Sequence, residues 1–133
     1  MTIPKAVVAD MLAHAREEAP LECCGLLIGV ADTVERSVRA RNADPSATRY
    51  RIAPDDHFAA IRAARSEDRE VIGAYHSHPA RPPVPSEADI AEANSGNGFL
   101  YVIVSLVGDE VRAYRLEDGT LAARPFTLTA SVL

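Results

Sequence analysis

The sequence predicts an α/β fold in which one mixed β-sheet is flanked by helices within a single domain spanning residues 1–133. Three observations carry that prediction. Amphipathic helical stretches alternate with strand-like runs along the whole chain. The strand-like runs include both fully apolar and period-two patterns, and neither a repeat nor a glycine-rich phosphate loop interrupts them. At 133 residues the chain can also bury one hydrophobic core without disulfide or metal staples.

Taken in order, Pro4 to Glu18 reads as a helix with Val7 and Met11 inward, joined by Leu12 and Ala15, and Pro20 closes it. "CCGLLIGV" is apolar on both faces, as a buried strand requires, whereas "TVERSVRARN" alternates like a strand wet on one side. "TRYRIA" is expected to add a third short strand. Pro54 opens a second helix, "PDDHFAAIRAARSEDR", whose first turn carries two acids that suit the positive end of the helix dipole. "VIGAYH" reads as a buried strand and "SEADIAEANSG" as a short helix with Gly96 at its left-handed C-terminal position. "FLYVIVSLV" and "VRAYRL" form a hairpin turning at Gly108-Asp109, and a weak strand is expected from Leu121 to Phe126.

Composition removes several function classes. With 47% apolar and 25% charged residues the chain is a globular protein, neither disordered nor fibrous. A formal charge of -5 argues against a general nucleic-acid binder, which needs a basic surface to displace counterions. No apolar stretch approaches the roughly 20 residues that cross a bilayer, so no membrane partner is expected. The opening residues carry acids where a signal peptide would be uninterruptedly apolar, and Cys23 and Cys24 are adjacent and cannot form a stapling framework. A cytoplasmic location is the expectation.

The chemistry concentrates in "VIGAYHSHPARPPVPSEADI". Side chains at i and i+2 of a strand leave the same face, so His76 and His78 can converge on one ion without bending the backbone. Pro79 ends the ladder there, where a site can open. Asp89 falls in the first turn of the helix that follows, on the side of the Ser86 hydroxyl. Two nitrogens and one carboxylate oxygen leave a fourth tetrahedral position for water, the arrangement of a catalytic zinc; iron or cobalt could occupy the same set in vitro. Ser86 with Asp89 also reads as an ordinary helix N-cap with an acid at N3, a device that needs no chemistry. Other sites built on His-x-His fit less well. The chain has no Pro-Cys-x-x-Cys of a zinc deaminase, no His-Glu-x-x-His helix, and no aspartate two residues beyond His78.

"HSHPARPPVPSEAD" resembles the His-x-His-Pro-x6-Ser-x2-Asp signature of the JAMM (MPN+) zinc metallopeptidases, without a gap, and "PLECCGLLIG" resembles their upstream motif. The resemblance implies a cytidine-deaminase-like α/β fold and the minimal prokaryotic type of the family. It implies one zinc held by His76, His78 and Asp89, a general base at Glu22 and an oxyanion-stabilising hydroxyl at Ser86. It further implies hydrolysis of an amide bond after the Gly-Gly tail of a small ubiquitin-like or sulfur-carrier protein, releasing a target lysine or a single amino acid such as cysteine. A non-catalytic protein-binding module of the same fold is the alternative, and the intact ligand set argues against it.

A further expectation concerns arginines. Arg39 with Arg41, and Arg49 with Arg51, each fall on one strand face. Were those strands paired, four guanidinium groups would share one wet surface, either as a solubilising edge or as a docking patch for an acidic protein substrate. His14 and His57 lie on helices without partners at ligand spacing and read as structural or exposed.

Overall fold

In the computed structural model, which describes residues 1–130, one mixed sheet runs through the molecule in the order β7-β6-β5-β4-β2-β3-β1-β8. Its elements along the chain are β1 (Thr2–Pro4), α1 (Lys5–Glu18), β2 (Cys24–Val30), β3 (Thr33–Ala40), α2 (Pro54–Ser66), β4 (Glu70–His78), α3 (Glu87–Glu92), β5 (Leu100–Ser105), β6 (Glu110–Glu117), β7 (Thr120–Arg124) and β8 (Thr127–Thr129). β4 runs parallel to β5, and β1 runs parallel to β3 and β8; the remaining pairs are antiparallel. Arg124 and Thr127 lie at opposite ends of the strand order yet only three residues apart in the chain. An extended chain covers about 11 Å over that distance, so the sheet must curl almost back on itself. Among the described residues no helix is long and apolar enough to cross a membrane.

The curl wraps α1. Val7, Met11 and Ala15 of that helix pack with Leu27, Tyr75, Val102 and Val104 on the sheet face they meet. Alternation sends the intervening residues to the other face, where Leu26 and Ala74 pack against Ala60 of α2, and Tyr101, Ile103, Tyr114 and Leu116 form a further cluster. Counting on from Ala74, His76 and His78 belong to this second face. The metal candidates therefore stand on the opposite side of the sheet from the largest apolar cluster.

One close approach explains a glycine. A Cβ on Gly25 would lie 2.2 Å from Cε1 of Tyr75 and 2.5 Å from the carbonyl oxygen of Val38. The Tyr75 ring lies across that gap, and its hydroxyl meets Nδ1 of buried His14 at 2.8 Å, which makes His14 structural. Gly25→Ala should therefore cost about 1–3 kcal/mol through overpacking. A denaturant midpoint equal to that of the parent would rule out the tight contact.

Several sequence expectations need correction. "TRYRIA" forms no strand; its pairing is one isolated bridge between Asn42 and Ile52. Asn42 takes the local backbone groups instead, accepting from the amides of Asp44 and Arg51 and donating to the carbonyls of Arg49 and Glu22. Such side-chain bonds compete with a ladder. α2 stops at Ser66, and α3 ends with Ala93 as its cap, so Gly96, at φ 95°, lies beyond the helix. The C-terminal strand is split at Pro125, which has no amide hydrogen to give, into β7 on one edge and β8 on the other. The β5-β6 hairpin is as expected, with positive φ at both Gly108 and Asp109.

Candidate metal centre

His76 and His78 end β4, and α3 brings Asp89 against them. The two Nε2 atoms are 3.2 Å apart, and Oδ2 of Asp89 lies 3.2 Å from the first and 3.1 Å from the second. All three side chains are nearly closed to water, at 2%, 1% and 6% exposure. The helix start positions the carboxylate. Ser86 caps α3 by accepting from the Asp89 amide at 3.1 Å, and Oδ2 of Asp89 accepts from the Ser86 amide at 2.9 Å. Both sequence readings of this pair are therefore compatible. The capping box is present, and the same oxygen that closes it faces the imidazoles.

The donor set fits a small tetrahedral cation. Zinc held at roughly 2.0–2.1 Å by three ligands separates their donor atoms by about 3.3 Å, close to each side of this triangle. Hydrogen bonding points the same way. Nδ1 of His78 lies 2.8 Å from the carbonyl oxygen of Pro82, which can only accept, so Nδ1 carries the ring's proton. In the neutral ring Nε2 then presents a lone pair to Oδ2 of Asp89, and two electron-rich atoms at 3.1 Å need a cation or a proton between them. A ligating histidine is commonly oriented by such a bond from its other nitrogen. His76 is oriented differently, by the ring of Tyr50 stacked on it at 4.2 Å between centroids and 16° between planes. Burial lowers the pKa of His76. Burial would raise the Asp89 carboxyl, but its contacts with the imidazoles of His76 and His78 and the hydrogen bond from the Ser86 amide hold it well below the usual carboxylate range. The His78 ring, although burial opposes its charge, is raised by Asp89 and by the Pro82 carbonyl.

Glu22 enters through strand register. β2 and β4 pair Cys24 with His76, and the ladder continues one step further, with the Ser77 amide donating to the Cys23 carbonyl at 3.1 Å. The Ser77 hydroxyl accepts from the Cys23 amide at 2.8 Å, fastening the same step. Continued one residue further, this register sets Glu22 opposite His78, close enough for the two to interact electrostatically, while the Glu22 amide itself turns to the Ser46 carbonyl. The Glu22 side chain is 0% exposed, and its Oε2 lies 3.0 Å from the guanidinium of Arg81. Burial pushes its pKa up to about 7 against the opposing pull of His78 and Arg81. Oε1 of Glu22 and Nδ1 of His76 are buried without a hydrogen-bond partner among the described residues.

Other candidates fall outside this constellation. Arg39 pairs with Glu17, and Arg41 binds Asp56 through both its amide and its guanidinium. Arg49 and Arg51 are exposed on the segment that forms no strand, so the four arginines do not share a sheet face. Burial pushes the Cys24 thiol up to about 12 and that of Cys23 to about 11, which leaves both unreactive. His57 is half-buried on α2. Tyr50 and Arg81 are the site neighbours that sequence reasoning missed. Arg81 lies inside the motif stretch, but no spacing rule marks it, and Tyr50 was absorbed into the expected strand.

The chain matches the family described as prokaryotic homologs of the JAB domain over residues 4–117. It is 35% identical over 130 residues to the CysO-cysteine peptidase of Mycobacterium tuberculosis, covering 94% of this chain and 88% of the relative. It is 37% identical over 104 residues to the desampylase of Haloferax volcanii, covering 72% and 73%. A solution structure of a protein from Desulfitobacterium hafniense superposes with a TM-score of 0.89 at 30% identity, covering 98% of this chain and 94% of that one. The family match spans most of the chain and agrees with these relatives and with the shared fold: the chain belongs to the prokaryotic JAB-domain family.

Proposed function

We propose that the protein is a zinc-dependent isopeptidase or peptidase that hydrolyses the amide bond after the Gly-Gly C-terminus of a small ubiquitin-like or sulfur-carrier protein. The observation that carries this reading is the triangle of His76, His78 and Asp89, with the His78 tautomer fixed by Pro82, beside a buried carboxylate that has one oxygen free. The names of the two relatives, a peptidase and a desampylase, support the reaction class.

His76, His78 and Asp89 would hold the metal. When bound, zinc supplies the Lewis acidity that makes water nucleophilic near neutral pH. Glu22 takes the proton as the water oxygen attacks the carbonyl carbon, then returns it to the departing nitrogen as the C–N bond breaks. The products are a free carboxylate at the Gly-Gly tail and an amine. A pKa raised by burial suits a group that must act as base and then as acid. Ser86 accepts from the Asp89 amide through oxygen, so its own hydrogen is left to donate to the oxyanion.

The reading is tested with a ubiquitin-like protein carrying either a lysine isopeptide or one amino acid after Gly-Gly, followed by intact mass. Release of the carrier ending in Gly-Gly is expected from at least one adduct. Failure with both, in zinc-loaded protein, would favour the non-catalytic module. Ser86→Ala should retain zinc, lose about 1 kcal/mol with its cap, and turn over on the order of 10²–10³ more slowly. Unchanged kinetics would reduce Ser86 to capping.

A further inference from the structure

The geometry points to Arg81 as a positioning residue that clamps Oε2 of Glu22 and so leaves Oε1 as the oxygen that accepts the proton. This rests on Glu22 being the base. The loop from Pro79 to Pro85 is built to hold that guanidinium still. Pro79, Pro82, Pro83 and Pro85 fix the backbone at four of its seven positions. Three successive carbonyls are each held by a side chain from outside the loop. The hydroxyl of Ser105 donates to the carbonyl of Arg81 at 2.5 Å, Nδ1 of His78 to that of Pro82 at 2.8 Å, and the hydroxyl of Tyr114 to that of Pro83 at 2.6 Å.

On this anchored segment the Arg81 side chain, 37% exposed, reaches a fully buried carboxylate and donates to one of its two oxygens at 3.0 Å. A buried carboxylate with neither oxygen paired would rotate or take up a proton from solvent. Pairing one oxygen fixes the plane of the carboxylate, while the other oxygen stays unpaired. The contact also makes a prediction about chemistry: one N–H at 3.0 Å, with no second bond to Glu22, is a demand that a lysine ammonium can largely meet.

The test uses the full zinc-loaded chain and a Gly-Gly-linked adduct of a small ubiquitin-like protein. Arg81→Ala should retain zinc and thermal stability, and lower kcat about 10–100-fold with KM little changed, the range seen when a group that orients a catalytic residue is removed. Arg81→Lys should recover most of that loss, and guanidinium added to Arg81→Ala should restore turnover saturably. Arg81→Met, which keeps the aliphatic reach without charge or donor, replaces the alanine variant should that one unfold. The inference is overturned by a kcat at or above the parent's, by a change confined to KM, or by a lysine variant as slow as the alanine one. An inactive parent would instead defeat the reading of the site. An active parent with an inactive Glu22→Gln and an unaffected Arg81→Ala would defeat only the role given to Arg81.

Discussion

Replacing His76 or His78 with alanine should abolish zinc retention and hydrolysis together while the chain still folds. Each imidazole supplies one corner of a triangle whose sides are 3.1–3.2 Å, and two corners cannot hold the ion in the same way. The lost transition-state stabilisation is several kcal/mol, on the order of 10³-fold or more in rate. Folding should survive because the core around α1 lies on the other sheet face. The two variants should still differ. His78→Ala also releases the Pro82 carbonyl and loosens the proline loop, whereas His76→Ala frees the ring of Tyr50. Circular dichroism with metal analysis checks both, and a variant that keeps zinc and rate would show that the triangle is not the metal site.

Glu22→Gln should leave zinc content and adduct binding near the parent's while lowering kcat by about 10²–10⁴. The amide keeps size and hydrogen bonding but accepts no proton, and the transfer occurs in the transition state, so KM should change little. Glutamine can also carry no charge for Arg81 to meet, so the double variant Glu22→Gln, Arg81→Ala should be little slower than Glu22→Gln alone. Single-turnover cleavage at matched zinc occupancy decides the matter. Near-equal rates for parent and Glu22→Gln would remove the proton shuttle even with the ligands intact.

What the sequence made legible follows from periodicity and local chemistry. The i, i+2 spacing of the histidines put both on one face, and the Ser86–Asp89 spacing placed a carboxylate in a helix's first turn; both features are local and survive folding unchanged. The proximity of Glu22 to His78 was not legible from spacing, because it depends on the register between β2 and β4; the family resemblance supplied the role instead. Tyr50 was misplaced because its segment alternates like a strand, while Asn42, eight residues earlier, takes the backbone groups that a ladder would use. Arg81 lies in a proline-rich loop where no sequence pattern marks it. Its meaning comes from Ser105 and Tyr114, on strands that no spacing within the motif can foresee.

The most direct test is metal content and hydrolysis measured on the same sample of the parent chain, before chelation, after chelation and after zinc is added back. The account predicts about one zinc per chain at the start, loss of both metal and Gly-Gly adduct cleavage on chelation, and recovery of both with one equivalent of zinc. Undiminished cleavage by the metal-free chain would contradict it.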